Sequence, residues 1–392
     1  MANQKQYVVG IDLGSHITRV IITEPPVREG VFPRVLGFGR AEAGGMRHGY
    51  VVNVDEATRS LELALRAAEK SAGVEIKKAY INIGGIGLAS EILIGSHMIS
   101  RADGEITELD INQAIRSAEE SFIARNRNRK ILHTIPLRYR LDGEEILATT
   151  PVGLHGKRLE IRITCISCQK HHYDDLVRVV SNAGIKIIDI IASPLGLSIA
   201  TLTRRQKTVG CGLVDIGAET VSLSIFENDA LISLEVFPIG SMDITNDLAL
   251  GFRVPLSEAE QIKTGRDLGS LSKRKIEDII EARLFDIFEL VENHLKKIRR
   301  DGLLPAGIIL TGGGSNLSSL EQVSRATLKL PASIMKVEHA IQGRRDLDTS
   351  WLTAYGLCIL GDGAPTVSPG DIGRAFSKAK KSLSGFFEQF LP

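Results

Sequence analysis

Residues 7–15 read Tyr-Val-Val-Gly-Ile-Asp-Leu-Gly-Ser, a short β-branched run that ends in a tight turn. A second β-branched run follows at once over residues 18–23, so the sequence predicts a hairpin here rather than the start of a βαβ unit. The pattern returns in the second half of the chain, where residues 211–217 read Cys-Gly-Leu-Val-Asp-Ile-Gly and residues 220–226 supply the following run. Two copies of a hairpin with an aspartate before its turn predict two related lobes that face a shared cleft.

Between and after these hairpins, helical and strand patterns alternate along the sequence. Apolar residues at helical spacing predict a helix over residues 55–72, with Asp55 as its cap. Residues 85–160 differ in texture, with several glycines, an amphipathic helical stretch and a basic cluster, and they predict a separate small α/β unit. Helices are expected across residues 256–300, followed by a strand over residues 306–311.

The composition is that of a globular protein. Of its residues 43% are hydrophobic and 24% are charged, with 38 Gly and 13 Pro, which excludes collagen-like and disordered classes. The 392 residues include 48 Lys and Arg against 47 Asp and Glu, a formal net charge of +1. Because positive and negative charges nearly cancel, the net charge gives no argument for nucleic-acid binding, and no nucleic-acid partner is expected. Four cysteines are too few for a disulfide framework. Because no apolar leader and no apolar run of ~18 residues is visible, the sequence predicts a cytoplasmic protein.

The turns that follow Asp12 and Asp215 are candidates for phosphate binding. A turn lined by Gly or Ser exposes backbone N–H groups that phosphate oxygens can approach closely, and Ser15 adds a hydroxyl donor. The aspartates themselves would repel phosphate, so they are expected to hold Mg²⁺, which keeps several waters and bridges to phosphate. An ordinary structural turn remains the alternative at each site, and the repetition favours the phosphate interpretation.

A glycine-rich turn and a helical pair complete the candidate site. Residues 312–316 read Gly-Gly-Gly-Ser-Asn after a hydrophobic strand, and three successive glycines lose much conformational entropy on folding. A base or phosphate packed against the backbone would explain them, and a flexible connection is the alternative. Glu260 and Lys263 are three apart on one helix face. They can contact ribose hydroxyls, or they form an ordinary surface ion pair.

These four motifs resemble, in order, the phosphate-1, phosphate-2 and adenosine motifs and the ribose-contacting pair of the actin-like ATPases. Within that superfamily the chain is similar, over nearly its whole length, to the FtsA family of bacterial cell-division proteins. This second likeness rests on residues 133–136 (His-Thr-Ile-Pro), 151–156 (Pro-Val-Gly-Leu-His-Gly) and 163–165 (Ile-Thr-Cys). Residues 193–200 and 351–356 also look like the two connecting helices of the fold. The resemblance implies an α/β protein with the actin-like (ribonuclease H-like) two-lobed fold and an inserted small α/β subdomain that replaces actin subdomain 1B.

The resemblance also implies a division into subdomains. They are 1A (residues 1–84, 161–195 and 350–362), the inserted 1C (85–160), 2A (196–240 and 302–349) and 2B (241–301), then a linker (363–372) and a C-terminal amphipathic helix (373–392).

ATP and Mg²⁺ are the ligands that the resemblance implies, with Asp12 and Asp215 holding the metal through water. One departure stands in the second phosphate turn, where many relatives have glycines and this chain has Ala218 and Glu219. They are expected to crowd or repel a γ-phosphate unless Glu219 points away or helps to order Mg²⁺, so weak or no ATPase activity is expected, and no catalytic residue is identified. The implied nucleotide contacts are Gly14, Ser15, His16, Gly217, Ala218, Glu219, Thr220, Glu260, Lys263, Gly312, Gly313, Gly314, Ser315 and Asn316.

The last twenty residues carry an amphipathic pattern beyond a linker rich in Gly and Pro. On a helix their apolar side chains fall on one arc, and a basic flank precedes Glu388. Such a helix suits an anionic membrane surface, and a helix docked on the body of the protein is the alternative. The residues expected to contact the membrane are Phe376, Leu383, Phe386, Phe387, Phe390, Leu391, Lys378, Lys380 and Lys381.

The family resemblance implies partners as well. The smaller lobe of FtsA proteins binds the acidic C-terminal peptide of FtsZ, and the expected contacts here are Arg283, Lys296, Lys297 and Arg300. Self-association into filaments and contacts of subdomain 1C with other division proteins are also expected. The protein would then tether the FtsZ ring to the cytoplasmic face of the cell membrane at the division site. A soluble sugar or acetate kinase and a chaperone-like ATPase of the same superfamily are the alternatives.

A zinc site is compatible with Cys165, Cys168, His171 and His172, which offer the residue types that zinc prefers. However, Cys165 ends a strand pattern, and residues three apart on a strand face opposite sides. The sequence therefore favours a strand–turn–helix segment in which the two cysteines point to different sides.

Overall fold

The computed structural model describes residues 6–25, 32–146, 150–266, 271–337, 341 and 346–361. The predicted linker (363–372) and tail helix (373–392) lie outside these residues. Among the described helices, none combines the length and the apolar composition that crossing a bilayer requires.

The first lobe is built on a five-stranded sheet around the first predicted hairpin. Its strands, in the spatial order β11-β6-β1-β2-β3, are β11 (Lys186–Ala192), β6 (Lys78–Ile83), β1 (Val8–Leu13), β2 (Ile17–Thr23) and β3 (Val35–Glu42). β1 pairs antiparallel with β2 and parallel with β6. A two-stranded ribbon, β4 (Met46–Arg47) with β5 (Tyr50–Val51), stands beside this sheet.

Helices cover both faces of the first sheet. α1 (Val54–Ala72) packs on β2 and β3 and contacts α3 (Lys170–Asn182). α10 (Leu352–Gly361) packs on β1, β2 and β6 and against α4 (Ser193–Thr201). α1 confirms the predicted helix, but Asp55 is not its cap. The Asn53 side chain accepts hydrogen bonds from the backbone N–H of Asp55 (3.1 Å) and Glu56 (3.2 Å), and Asp55 lies in the first turn, where its charge favours the helix dipole.

The predicted small unit is an insertion between β6 and α3 with its own core. Four strands in the antiparallel order β7-β10-β8-β9 form its sheet: β7 (Ala89–Met98), β8 (Arg129–Leu141), β9 (Glu144–Ile146) and β10 (Arg158–Gln169). α2 (Glu108–Arg125) covers one face, so that Phe122, Leu159 and Ile161 are buried together.

β10 is longer than the sequence predicted, and it joins two cores. Cys165 packs in the core of the insert, whereas Cys168, further along the same strand, packs in the core of the first lobe. The predicted opposite facing of the two cysteines is therefore confirmed. The insert also touches the second lobe, since Ser90 Oγ accepts from Leu234 N (2.7 Å) and Thr164 Oγ1 donates to Leu231 O (2.7 Å).

The second lobe repeats the sheet of the first. Its strands, in the order β14-β13-β12-β15-β16, are β14 (Ala230–Phe237), β13 (Val221–Glu227), β12 (Cys211–Ile216), β15 (Ile308–Thr311) and β16 (Ala332–Ile334). β12 pairs antiparallel with β13 and parallel with β15, as β1 does with β2 and β6. Its helices are α6 (Ser241–Phe252), α7 (Leu256–Lys263), α8 (Lys273–Lys297) and α9 (Leu320–Leu328), and α5 (Arg204–Val209) follows α4 between the lobes.

Candidate functional site

Asp12 lies near the end of β1 and is held in a buried polar network. Its Oδ1 accepts a hydrogen bond from Asn82 Nδ2 (2.5 Å) on the neighbouring β6. Asn82 also donates to Ser193 Oγ (2.9 Å) at the start of α4 and accepts from Leu13 N (2.8 Å). Burial raises the pKa of the Asp12 carboxyl to about 6, and Arg19 and Asn82 oppose that rise. The carboxylate is therefore fixed in place by three elements of the first lobe.

Asp215 takes the matching position on β12 of the second lobe. Burial, together with the negative charge of Asp12, raises the pKa of its carboxyl to about 7, and Arg19 opposes that rise. The two aspartates thus share one electrostatic environment although they belong to different lobes. This is the arrangement that the repeated hairpins predict.

Arg19 is a residue of this site that the sequence interpretation missed. It pairs with Asp12 across the hairpin, and its Nη1 lies 3.9 Å from Asp12 Oδ2. Its guanidinium stands over the ring of Trp351, 5.8 Å from the ring centre. Its Nε is buried and finds no hydrogen-bond partner among the described residues. The hairpin register was the available signal, because a four-residue turn over residues 14–17 pairs residue 13 with residue 18 and so places residue 19 opposite residue 12.

The two phosphate turns meet at one dipeptide, His48-Gly49. Ser15 Oγ of the first turn accepts a hydrogen bond from Gly49 N (2.8 Å), and Glu219 Oε2 of the second turn accepts one from His48 N (2.5 Å). His48 Nδ1 lies 3.1 Å from Glu219 O. His16 is exposed, and its carbonyl accepts from Ala43 N (2.9 Å). Ser15 and Glu219 therefore both act as acceptors of the same connecting loop.

The second turn rests on the N-terminus of α6. Gly217 N donates to Thr220 O (2.9 Å), which closes the turn. Ser241 N then donates to Gly217 O (2.9 Å) and Met242 N to Ala218 O (2.8 Å). The carbonyls of Gly217 and Ala218 are therefore occupied by N–H groups of α6, which attaches the turn to that helix.

Glu260 and Lys263 form an ion pair behind this turn. Lys263 Nζ lies 2.7 Å from Glu260 Oε2, and both side chains bond the hydroxyl of Thr245 on α6. Lys263 also donates to Ser241 O (3.1 Å) and is only 8% exposed, whereas Glu260 is 46% exposed. The ammonium is thus committed to joining α7 to α6, and the glutamate keeps an accessible oxygen.

The glycine-rich turn lies beside Asp215 because β15 pairs with β12. Gly312 has φ +92°, and a Cβ there would stand 2.3 Å from Asp215 Oδ1, so only glycine fits. A 3₁₀ turn over Gly313–Asn316 follows, closed by Thr349 Oγ1 and Ser315 Oγ, which both donate to Gly312 O (2.8 and 2.7 Å). At Gly313 a Cβ would meet only Ser350 Cβ, at 3.8 Å, which leaves open backbone surface.

The structure scatters the four residues predicted to bind an acidic peptide. Arg283 makes two hydrogen bonds to Asp247 (2.7 and 3.0 Å) and joins α8 to α6. Arg300 makes two to Glu227, at the end of β13. Lys296, 52% exposed, pairs with Glu292 (2.9 Å), and Lys297 is exposed. Two of the four thus brace the lobe internally, and the two lysines present charge to the surface.

The residues in the cleft fit a nucleotide with a divalent cation. The carboxyl groups of Asp12 and Asp215, both of raised pKa, lie close enough to affect each other. The Nε of Arg19 has no hydrogen-bond partner among the described residues, and the backbone of Gly312 packs directly against Asp215. These groups suit an anionic ligand and a hard cation that binds oxygen.

Comparison with known proteins identifies the family. The model of "Cell division protein FtsA" matches residues 212–354, and that of "SHS2 domain inserted in FTSA" matches residues 89–167. Together the two models span more than half of the chain. The chain belongs to the FtsA family.

Curated FtsA-family relatives extend this match over most of the chain. Cell division protein FtsA of Pseudomonas aeruginosa is 27% identical over 379 residues, which cover 90% of this chain and 89% of the relative. FtsA of Bacillus subtilis is 28% identical (91% and 83% covered), and FtsA of Escherichia coli K12 is 27% identical (81% and 81% covered). The predicted family resemblance is confirmed, and the kinase and chaperone alternatives lose their support.

Solved structures confirm the actin-like fold of this FtsA-family chain. The PilM-PilN type IV pilus biogenesis complex gives a TM-score of 0.68 at 17% identity, covering 91% of this chain and 99% of that one. Ethanolamine utilization protein EutJ from Carboxydothermus hydrogenoformans gives 0.54 at 17% identity, with 90% and 89% covered. MreB5 of Spiroplasma citri bound to AMPPNP gives 0.52 at 12% identity, with 96% and 99% covered. The protein is a cell-division protein of actin-like fold with an inserted SHS2 domain.

Proposed function

We propose that this FtsA-family protein binds ATP with Mg²⁺ in the cleft, polymerises, and anchors the FtsZ ring to the cytoplasmic face of the cell membrane. The observation that carries the proposal is the pairing of an FtsA-family body with the amphipathic segment 373–392. The body supplies a ligand-dependent polymer and a docking surface, and the segment supplies the membrane contact.

The cleft residues have distinct roles in this proposal. Asp12 and Asp215 would hold Mg²⁺ through water, and the metal would neutralise phosphate charge. The turns at residues 14–16 and 217–220 would face the phosphates, and residues 312–316 would face the base. Glu260 keeps an accessible oxygen for the ribose, whereas Lys263 positions that glutamate and α6.

Nucleotide acts in this proposal mainly as a conformational ligand. Each phosphate turn belongs to a different sheet, so a ligand bound between them fixes the angle between the lobes. A fixed angle favours head-to-tail contacts between copies, and ligand binding can shift that equilibrium only by its preference for the closed state. Turnover is expected to be slow, because no side chain in the described cleft is identified as a base that could activate water.

The tail would bind the membrane weakly as a single copy. Each basic residue near an anionic surface contributes about 1 kcal/mol, and the Phe and Leu side chains add partial burial. Many tails on one filament bind together, which raises the overall affinity without any new contact. Membrane attachment is therefore coupled to polymerisation.

Co-sedimentation with anionic liposomes tests this proposal. The full chain is compared with a truncation that ends at Asp371, each with and without ATP, and neutral liposomes serve as the lipid control. We expect only the full chain to pellet, only with anionic lipid, and more strongly with ATP. If both forms pellet alike, or if neither pellets, segment 373–392 is not a membrane anchor and the proposal fails.

A further inference from the structure

The two phosphate turns are joined across the cleft by hydrogen bonds to one loop. The bond between His48 N and Glu219 Oε2 (2.5 Å) links residues that are 171 positions apart, one in each lobe. The adjacent Gly49 N donates to Ser15 Oγ (2.8 Å) of the other turn. Two successive backbone donors of one loop therefore satisfy acceptors on both turns.

The loop that carries these donors is braced from behind. His48 and Gly49 both have positive φ (+46° and +78°). His48 O accepts from Ile86 N (3.3 Å), and a Cβ at Gly49 would lie 2.4 Å from Gly85 Cα. The dipeptide is thus packed against the backbone that follows β6 and presents its N–H groups to the cleft in a fixed place.

The acceptor is a carboxylate in a turn whose other features suit phosphate. Glu219 is the residue of the second turn that bears a negative charge, and it is only partly exposed. A backbone N–H can donate a charge-assisted hydrogen bond to a carboxylate or to a phosphate oxygen. An anion bound between the two turns would therefore meet a donor that is already occupied, and a like charge beside it.

We infer that Glu219 is a built-in occupant of the terminal-phosphate position. Its carboxylate accepts the His48 N–H bond that links the two lobes beside the phosphate turns. A terminal phosphate placed between these turns would compete with the carboxylate for that donor. A triphosphate would have to compete with this carboxylate for the His48 N–H, whereas a diphosphate, which lacks the terminal group, would not. Glu219 is thus a specificity-determining residue that lowers the preference of the site for ATP over ADP. The inference rests on the proposed nucleotide site.

Competition binding with the full chain tests the inference. A fluorescent ADP analogue is displaced by ATP or by ADP, with Mg²⁺ present, from the wild type and from Glu219→Gln. The amide keeps the size and an acceptor oxygen but removes the charge. Glu281→Gln, on the exposed face of α8, removes the same charge away from the turn and serves as the control.

The expected result is a change in the ratio of the two affinities. Removal of one close like charge should raise ATP affinity about tenfold relative to ADP in Glu219→Gln, within the usual range of coupling between sites. Glu281→Gln should leave the ratio at the wild-type value. ATP binding that appears only in Glu219→Gln also supports the inference. A wild-type protein that binds both nucleotides and a variant with the same ratio overturn the inference and leave the nucleotide site standing. If no form binds either nucleotide, both proposals are wrong.

Hydrogen exchange without nucleotide measures the bond itself. Glu219→Ala should speed exchange at the His48 amide, because its acceptor is gone, while the amide of Leu61 in buried α1 keeps its rate as a check on folding. Unchanged His48 exchange in Glu219→Ala would mean that the carboxylate does not hold the loop, and the inference fails whatever the nucleotides do.

Discussion

Asp12 and Asp215 show how one residue type is tuned at the centre of the cleft. Burial raises the carboxyl pKa to about 6 at Asp12 and about 7 at Asp215, although Arg19 opposes both shifts. A carboxyl whose pKa is higher in the folded state binds its proton more tightly there than in the unfolded chain. Its contribution to stability therefore falls as the pH rises from the unfolded value near 4 to the folded value. An ionised pair in this cleft is unfavourable until a cation arrives.

Asp215→Asn is expected to stabilise the protein in a pH-dependent way. Without a metal, the free energy of unfolding should increase by roughly 1–3 kcal/mol at pH 8, where the partly buried carboxylate is ionised, and by clearly less at pH 4.5. Urea unfolding at the two pH values measures it. Asp278→Asn, exposed on α8, is the control and should change little at either pH. An equal effect of Asp215→Asn at both pH values would contradict the assigned burial cost.

Some residues of the site could be predicted from the sequence alone, and others could not. Asp12 and Asp215 were predicted as site residues because the hairpin motif that carries them occurs twice. The glycines of residues 312–314 were predicted because three successive glycines lose much conformational entropy on folding and so need a reason. Arg19 was missed although the hairpin register points to it. The contact of Glu219 with His48 could not be predicted, because nothing local relates residues 171 positions apart in the two lobes.

At the scale of elements, α4 and α10 cross at a point of very close backbone approach. Gly196 on α4 and Gly356 on α10 stand at the crossing, where a Cβ added to Gly356 would lie 1.9 Å from Gly196 O. The reverse is milder, since a Cβ on Gly196 would first meet the flexible end of Leu357 at 3.2 Å. The two glycines are therefore not equivalent.

Alanine at these two positions should have different effects. Gly356→Ala pushes α10 away from α4 and is expected to lower the free energy of unfolding by about 2–3 kcal/mol. Gly196→Ala should stay within about 1 kcal/mol of the wild type, because better helix propensity offsets a small rearrangement of Leu357. Urea unfolding of the two variants gives the comparison. Equal losses would show that the crossing does not depend on the close approach of Gly356.

Elements were predicted where their pattern is local and periodic. The hairpins, α1 and the insert were foreseen from β-branched runs and helical spacing. α6 was not predicted, because its twelve residues include Asp, Asn, Thr and Gly, which favour turns when read alone, and only packing under the second phosphate turn makes them helical. The cap of α1 was placed two residues late for a similar reason, since Asn53 and Asp55 are both good caps.

At the scale of the whole molecule, the proposed FtsZ contact depends on which basic side chains the second lobe exposes. The two arginines of the predicted set hold Asp247 and Glu227, so the lysines at the end of α8 are the surface charges available to an acidic peptide. Exposed charge pairs steer association and weaken with salt.

Charge reversal at Lys296 and Lys297 tests that contact. The double variant Lys296→Glu/Lys297→Glu should weaken binding of a labelled acidic FtsZ C-terminal peptide by about tenfold at low salt, with a smaller effect at high salt. Lys273→Glu/Arg274→Glu, a double charge reversal of exposed residues at the opposite end of α8, is the matched control. Fluorescence anisotropy reports both. If the double variant bound the peptide as tightly as the wild type, the two lysines would not be part of the docking site.

The insert is tied to both halves of the molecule, and this has a mechanical consequence. β10 runs unbroken from the insert's core into that of the first lobe, while Ser90 and Thr164 hold β14 of the second. The continuous strand is the stiffer of the two attachments, and the hydrogen bonds of Ser90 and Thr164 to β14 are the weaker one. If the lobes rotated relative to each other, the continuous strand would keep the insert with the first lobe, and the hydrogen bonds to β14 would break first. A change in the angle between the lobes would therefore displace a partner bound to the insert. Conversely, a force applied to the insert would change the angle of the cleft.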